Sequence, residues 1–160
     1  MQNEEFKKAV GCFPTGVAVI TTSNADKLWG FTANSFASVS LDPPLISFCL
    51  NKESASFTAF DNATTFAISV LSSDQSEISK HFAQKRMDKF ANIDYKIGNF
   101  SKSPLITGAK CFLECKKYDQ FECGDHYIFV GKVMSTNINE EKSPIVYFAK
   151  TYSSLDVTKR

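Results

Sequence analysis

Gly30-Phe31-Thr32-Ala33-Asn34-Ser35-Phe36-Ala37-Ser38-Val39-Ser40-Leu41-Asp42-Pro43-Pro44 is the stretch on which the reading of this chain turns. Extended, it has two faces, because successive side chains of a strand point in opposite directions. Trp29, Phe31, Ala33, Ser35, Ala37, Val39 and Leu41 form an almost wholly apolar row. Thr32, Asn34, Phe36, Ser38 and Ser40 form the other, hydroxyls and an amide around one aromatic ring. A solvent face would carry Lys and Glu, and this one has neither. Short neutral donors and acceptors of this kind suit a polar heteroaromatic ligand better than water. Asp42-Pro43-Pro44 then breaks the ladder, since neither proline offers a backbone N–H.

Outward from this segment the chain reads as short strands with a few short helices. Val17 to Thr22 is a β-branched run expected to form a buried strand, followed by a polar turn at Ser23-Asn24-Ala25-Asp26-Lys27. Leu28 to Leu41 is one long strand or a pair of bent ones, and Leu45 to Leu50 resumes extended structure. Phe66 to Leu71 is another buried strand. Cys111 to Glu122 and Tyr127 to Thr136 are two more, joined by a turn at Cys123-Gly124-Asp125-His126, and Pro144 to Phe148 is the last. Helices are expected from Asn3, as cap, to Val10, from Ala55 to Asp61, and from a capping box at Asp74 and Glu77 through about Ala83. Gln84 to Lys89 is basic and reads as exposed, and Asn92 to Gly108 as loop. Strands and helices do not alternate regularly, which disfavours a doubly wound parallel sheet. A closed or nearly closed antiparallel β-barrel with peripheral helices fits, giving a mainly β fold.

At 160 residues the length favours a single domain, 1–160. Hydrophobic residues are 43% and charged residues 22%, a globular composition, with 15 Phe against 1 Trp and 5 Tyr to fill the core. A formal net charge of +1 gives no electrostatic case for nucleic acid or an anionic membrane. The apolar runs are too short to span a bilayer, and Met1-Gln2-Asn3-Glu4-Glu5 does not resemble a signal peptide, so a cytoplasmic protein is expected. Five cysteines are an odd number with no C-x-x-C pair. A metal reading would recruit Cys115, Cys123 and His126, but that spacing matches no common zinc module, so no metal site is expected. Reduced thiols packed as small apolar residues are the favoured account.

No G-x-G-x-x-G follows a strand, and no phosphate-binding Gly-rich loop or G-x-S-x-G elbow is present. Asn51-Lys52-Glu53-Ser54 leads into a helix, where free N–H groups, the Ser54 hydroxyl and the Lys52 ammonium can meet an anion. The plainer reading is an N-cap at Ser54 beside a solvated Lys52. Lys85, Arg86 and Lys89 can contact phosphate or simply be solvated. Gly124-Asp125-His126 is either a hairpin turn with His126 opening the next strand, or an imidazole held at a barrel rim. Gly16 either begins a strand or lets a ligand approach the backbone closely.

Taken together the pieces resemble the flavin reductase-like family, the FMN-binding split barrels that serve as reductase components of two-component monooxygenases. The carriers are Phe13-Pro-Thr-Gly-Val-Ala-Val-Ile-Thr-Thr, Gly30 to Leu45, Phe66-Ala-Ile-Ser-Val-Leu, Leu113-Glu-Cys, and Gly124-Asp-His with Gly131-Lys-Val, over about residues 6 to 150. The resemblance implies a homodimeric split β-barrel that binds FMN or FAD and accepts hydride from NADH or NADPH. It implies that Thr32, Ala33, Asn34 and Ser35 hold the isoalloxazine edge. Ser38, Ser40, Asn51, Lys52 and Ser54 would hold ribityl and phosphate groups, with Lys85 or Arg86 approaching the phosphate. His126 would sit beside the nicotinamide, where it need not be an acid or base because hydride passes directly to flavin. A partner monooxygenase is also implied. The alternatives are a non-enzymatic flavoprotein of the same fold holding FMN for electron transfer or storage and, further off, a haem- or pyridoxal-phosphate-binding split barrel.

Overall fold

The computed structural model describes residues 3–24, 27–85 and 88–155. Helix α1 (Asn3–Val10) leads into β1 (Thr15–Gly16), β2 (Ala18–Asn24), β3 (Lys27–Ala33), β4 (Ala37–Leu41) and β5 (Pro44–Asn51). Helix α2 (Phe57–Asn62), β6 (Thr65–Val70) and helix α3 (Ser76–Ala83) follow. The chain continues through β7 (Tyr95–Ile97), β8 (Pro104–Ile106), β9 (Cys111–Cys123), β10 (His126–Ile138), β11 (Ile145–Phe148) and β12 (Thr151–Ser154). The fold is mainly β, as expected, and its centre is a seven-stranded sheet in the order β3-β2-β6-β9-β10-β5-β4. Every pairing in it is antiparallel.

The sheet curls into a barrel but does not close by hydrogen bonds, because β3 and β4 stand at its two edges. Phe31 of β3 instead packs on Phe48 of β5, with ring centroids 5.9 Å apart. The Phe-rich composition fills this interior. Phe48 lies nearly parallel to Phe129 at 5.2 Å and edge-on to Phe66 at 5.1 Å, while Phe60 of α2 plugs the barrel edge-on to Phe31 at 5.3 Å. Such ring pairs contribute about 0.5–1.5 kcal/mol each beyond the area they bury. A second cluster lies outside the barrel wall, where Val17 and Val19 meet Leu71, Phe82, Ile106 and Ile145. Ala18 and Ile20 face the first cluster, so β2 is buried on both sides and its sequence is apolar without alternation.

Two glycines are explained by close approach. A Cβ at Gly131 would overlap the Phe66 ring. One at Gly30 would lie 3.0 Å from the Phe82 ring and 3.1 Å from Phe90, so its absence lets α3 seat on β3.

Several expectations are corrected. Of the two readings of Leu28 to Leu41 the pair of strands holds, but the break at Asn34-Ser35-Phe36 means that the expected apolar row does not continue: Val39 is 53% and Leu41 93% exposed. Residues 92–108 contain the β7–β8 hairpin, and β12 follows the strand expected to be last. α2 begins at Phe57 rather than Ala55, with Ser56 rather than Ser54 at its N-cap position. The capping box does not form, because Gln75 holds the N-cap position of α3. Asp74 instead accepts from Ser72 Oγ at 2.6 Å and Lys142 Nζ at 2.5 Å, contacts that hold its carboxyl below the ordinary range. The Asn3 side chain and residues 25–26 of the expected turn lie outside the described residues.

Candidate functional site

A cleft of about 610 Å³ opens where β3 runs out, between the end of β5, the C-terminal end of α3 and the start of β10. From β3 and the break after it come Thr32, Ala33, Asn34 and Ser35. The end of β5 supplies Asn51 and the turn after it Ser54, the segment after α3 supplies Lys85, and β10 supplies His126. Eight residues expected from four separate parts of the sequence therefore share one wall. The pairing that brings Asn51 and His126 together is visible in the sheet, where they are register partners across β5 and β10.

Hydrogen bonds fix Thr32, Ser35, Asn51 and His126 before any ligand arrives. Thr32 Oγ1 donates to the Ser79 carbonyl of α3 at 2.6 Å, so toward the cleft its oxygen can only accept. Ser35 Oγ accepts from Cys49 N at 2.9 Å and donates, more weakly, to Cys49 O at 3.4 Å. The β4–β5 ladder ends at Ala37↔Ser47, and the next outward-facing N–H and C=O of β5 are those of Cys49. A serine hydroxyl thus replaces the missing strand at the lip of the cleft. Asn51 Oδ1 accepts from Glu53 N at 2.7 Å, which shapes the turn and leaves its amide nitrogen as a donor. At the far side, His126 Nδ1 donates to Asp125 Oδ1 at 2.7 Å, which holds the Asp125 carboxyl below its ordinary range. This bond leaves Nε2 as the imidazole's remaining polar atom.

Ser38 and Ser40 sit on β4 opposite Ile46 and Leu45, away from the cleft wall. The strand break removes them from the face they were expected to share with Thr32 and Asn34. Lys52 is also off the wall. It forms an ion pair with Glu122 and lies 5.7 Å from the Tyr127 ring, and the Glu122 contact raises its pKa. Arg86 lies outside the described residues. The metal trio is not assembled, since Cys115 is buried opposite Val133, seven residues along β10 from His126, a span of roughly 23 Å. Burial pushes the Cys115 thiol up to about 12, as expected of a packed, unreactive sulfur.

Phe31, Leu50 and Phe82 also border the cleft while remaining buried core residues, with Cys49, Glu53, Gln84 and Lys89. The expected site omitted these. Phe31 and Leu50 read simply as core, and nothing in their spacing marks them as facing a ligand. In the sequence Lys89 is no more than an open possibility for phosphate contact. The structure seats it half-buried, its Nζ donating to the Phe82 carbonyl at 2.8 Å, and burial lowers its pKa. His81 Nε2 donates to the Lys89 carbonyl at 2.8 Å, so the two residues clasp this segment to α3.

Apolar surface, neutral hydrogen-bonding atoms and two lysines against one carboxylate, Glu53, suit a flat polar ring carrying an anionic tail. A sequence model described as "Flavin reductase like domain" matches residues 10–156. A relative from Rhizobium meliloti named "Probable flavin reductase" is 44% identical over 79% of this chain, which spans 41% of that relative's length. The reductase subunit of a flavin-dependent monooxygenase from Rhodococcus jostii is 33% identical, covering 96% of this chain and 78% of its own. Among solved structures, the NADH:FAD oxidoreductase of Streptomyces globisporus, in complex with NAD and FAD fragments, superposes with a TM-score of 0.92. It is 36% identical and covers 95% of this chain and 92% of its own.

Proposed function

The chain belongs to the flavin reductase like domain family, and from that premise we propose that its cleft binds FMN or FAD and catalyses flavin reduction by NADH or NADPH. The observation that carries this reading is the convergence of Thr32, Ala33, Asn34, Ser35, Asn51, Ser54, Lys85 and His126 on one wall. The atoms present suit a flavin. Thr32 Oγ1, its hydrogen engaged in the bond to the Ser79 carbonyl, would accept from a ring N–H. Amide and hydroxyl donors of Asn34, Asn51 and Ser54 meet carbonyl and ribityl oxygens. Apolar atoms of the wall would cover the apolar part of the ring, and Lys85 and Lys89, which line the same cleft, would meet its phosphate. A charge-assisted bond of that kind contributes about 1.5–3 kcal/mol.

When bound, the flavin supplies the hydride-accepting ring. The protein's part is to orient two planar partners and keep water from between them. His126, fixed through Nδ1 by Asp125 at the cleft rim, positions the nicotinamide through Nε2 and transfers no proton. We read the chain as a single domain working in the cytoplasm; no helix among the described residues is long and apolar enough to cross a membrane. A homodimer covers the exposed edge strand β4, where Val39 and Leu41 present apolar side chains. The reduced flavin passes to a partner monooxygenase, a role supported by the name of the Rhodococcus jostii relative. Anaerobic stopped-flow mixing of the protein and flavin with NADH tests the reading. Bleaching of the flavin absorbance on protein addition is expected. Tight flavin binding without NADH oxidation would favour the electron-transfer alternative.

A further inference from the structure

The cleft wall contributed by α3 is held from behind by a residue that does not touch the cleft. Ser79 is fully buried on α3, and its two oxygens point to two different sheets. Its carbonyl accepts from Thr32 Oγ1 of β3 at 2.6 Å, at the cleft. Its hydroxyl is 2.8 Å from the Tyr152 hydroxyl of β12. β12 belongs to the small sheet β1-β11-β12, and Tyr152 is braced there by the Tyr147 ring at 5.3 Å. α3 is thus pinned between the barrel and the small sheet through one serine. Its C-terminal end delivers Phe82 and Ala83, and the chain beyond it Gln84 and Lys85, to the cleft.

We propose that Tyr152 is a positioning residue for flavin binding, acting through Ser79 to hold the end of α3 in its binding-competent place. This rests on the flavin reading of the cleft. Only the competent fraction of a protein binds, so loosening α3 raises the apparent Kd while leaving the assembled site intact. A net hydrogen bond is modest, so Tyr152→Phe raises the flavin Kd by about 3- to 10-fold. kcat at saturating flavin stays within about 2-fold, the split expected when ground-state binding alone is lost.

The test is flavin fluorescence titration and steady-state kinetics on wild type, Tyr152→Phe, Ser79→Ala, the double variant and Tyr147→Phe. The two single variants should weaken binding alike, and the double variant no more than either, since they break one contact. Tyr147→Phe should bind as wild type does, because its hydroxyl makes no hydrogen bond among the described residues. Hydrogen exchange of the free proteins supplies a readout independent of flavin: amides of 82–85 should exchange faster in Tyr152→Phe. An unchanged Kd in Tyr152→Phe, or an equal loss in Tyr147→Phe, overturns the proposal. A wild type that binds no flavin overturns the cleft reading instead, and unchanged exchange at 82–85 would then overturn the bracing of α3 as well.

Discussion

Replacing Ser35 by alanine probes the point where the sheet's hydrogen bonding stops and the cleft begins. The hydroxyl satisfies both Cys49 N, at 2.9 Å, and Cys49 O, at 3.4 Å. Alanine leaves the Cys49 N–H without a partner in a half-buried position, and the longer contact adds little. Leaving a buried donor unmade costs about 1–3 kcal/mol, and partial exposure of Cys49 places the loss near 1–2 kcal/mol. For a chain of this size that lowers Tm by about 3–6 °C. Urea unfolding should show the same loss in the midpoint with an unchanged slope. Because Asn34 and Ser35 then lose their tether to β5, the flavin Kd should rise by about 3- to 10-fold, the equivalent of one hydrogen bond. Ser35→Thr keeps the hydroxyl and should recover most of both effects. An alanine variant that melts and binds as wild type does would refute the tether.

His126→Ala should raise the KM for NADH or NADPH in stopped-flow reduction while changing flavin affinity little; equal loss of both would contradict a nicotinamide role. Lys85→Ala should weaken FMN by about 1.5–3 kcal/mol and leave riboflavin, which lacks the phosphate, nearly unaffected. Equal weakening of the two ligands in parallel titrations would remove Lys85 from the phosphate. Glu114 is buried, and its Oε2 accepts from Phe100 N at 2.9 Å, Ser101 N at 2.7 Å and Ser101 Oγ at 2.9 Å. Glu114→Gln should therefore cost about 1–3 kcal/mol by urea unfolding and leave flavin affinity unchanged, since the group lies off the cleft.

The barrel was legible because its strands are apolar runs separated by turn residues, and Gly124-Asp125 marks the long hairpin directly. Residues local to the break after β3 were legible too, from the types at Thr32 to Ser35. Ser38 and Ser40 were misplaced because alternation was carried through Asn34-Ser35-Phe36, where the chain leaves the sheet. A period of two holds only while the ladder does. Lys52 shows a different limit: its position in the turn was right, but Glu122, seventy residues later, draws its ammonium away. Phe31, Leu50 and Phe82 look like any core residue in sequence, and in the structure they are core residues that also border the cleft. β12 and its Tyr152 lay beyond the expected last strand, with no turn chemistry to announce them.

Asn34, Ser35 and Phe36 join two strands that are consecutive in the chain yet stand on opposite rims of the sheet. The hoop is completed there by covalent bonds, where everywhere else around its circumference it is completed by backbone ladders. A protease nick or a circular permutation at this point would free both rims together and leave two bare edges able to template stacking between molecules. An added residue there would widen the girth at the ligand's own doorway. Length at this junction therefore matters to the barrel independently of which side chains it carries.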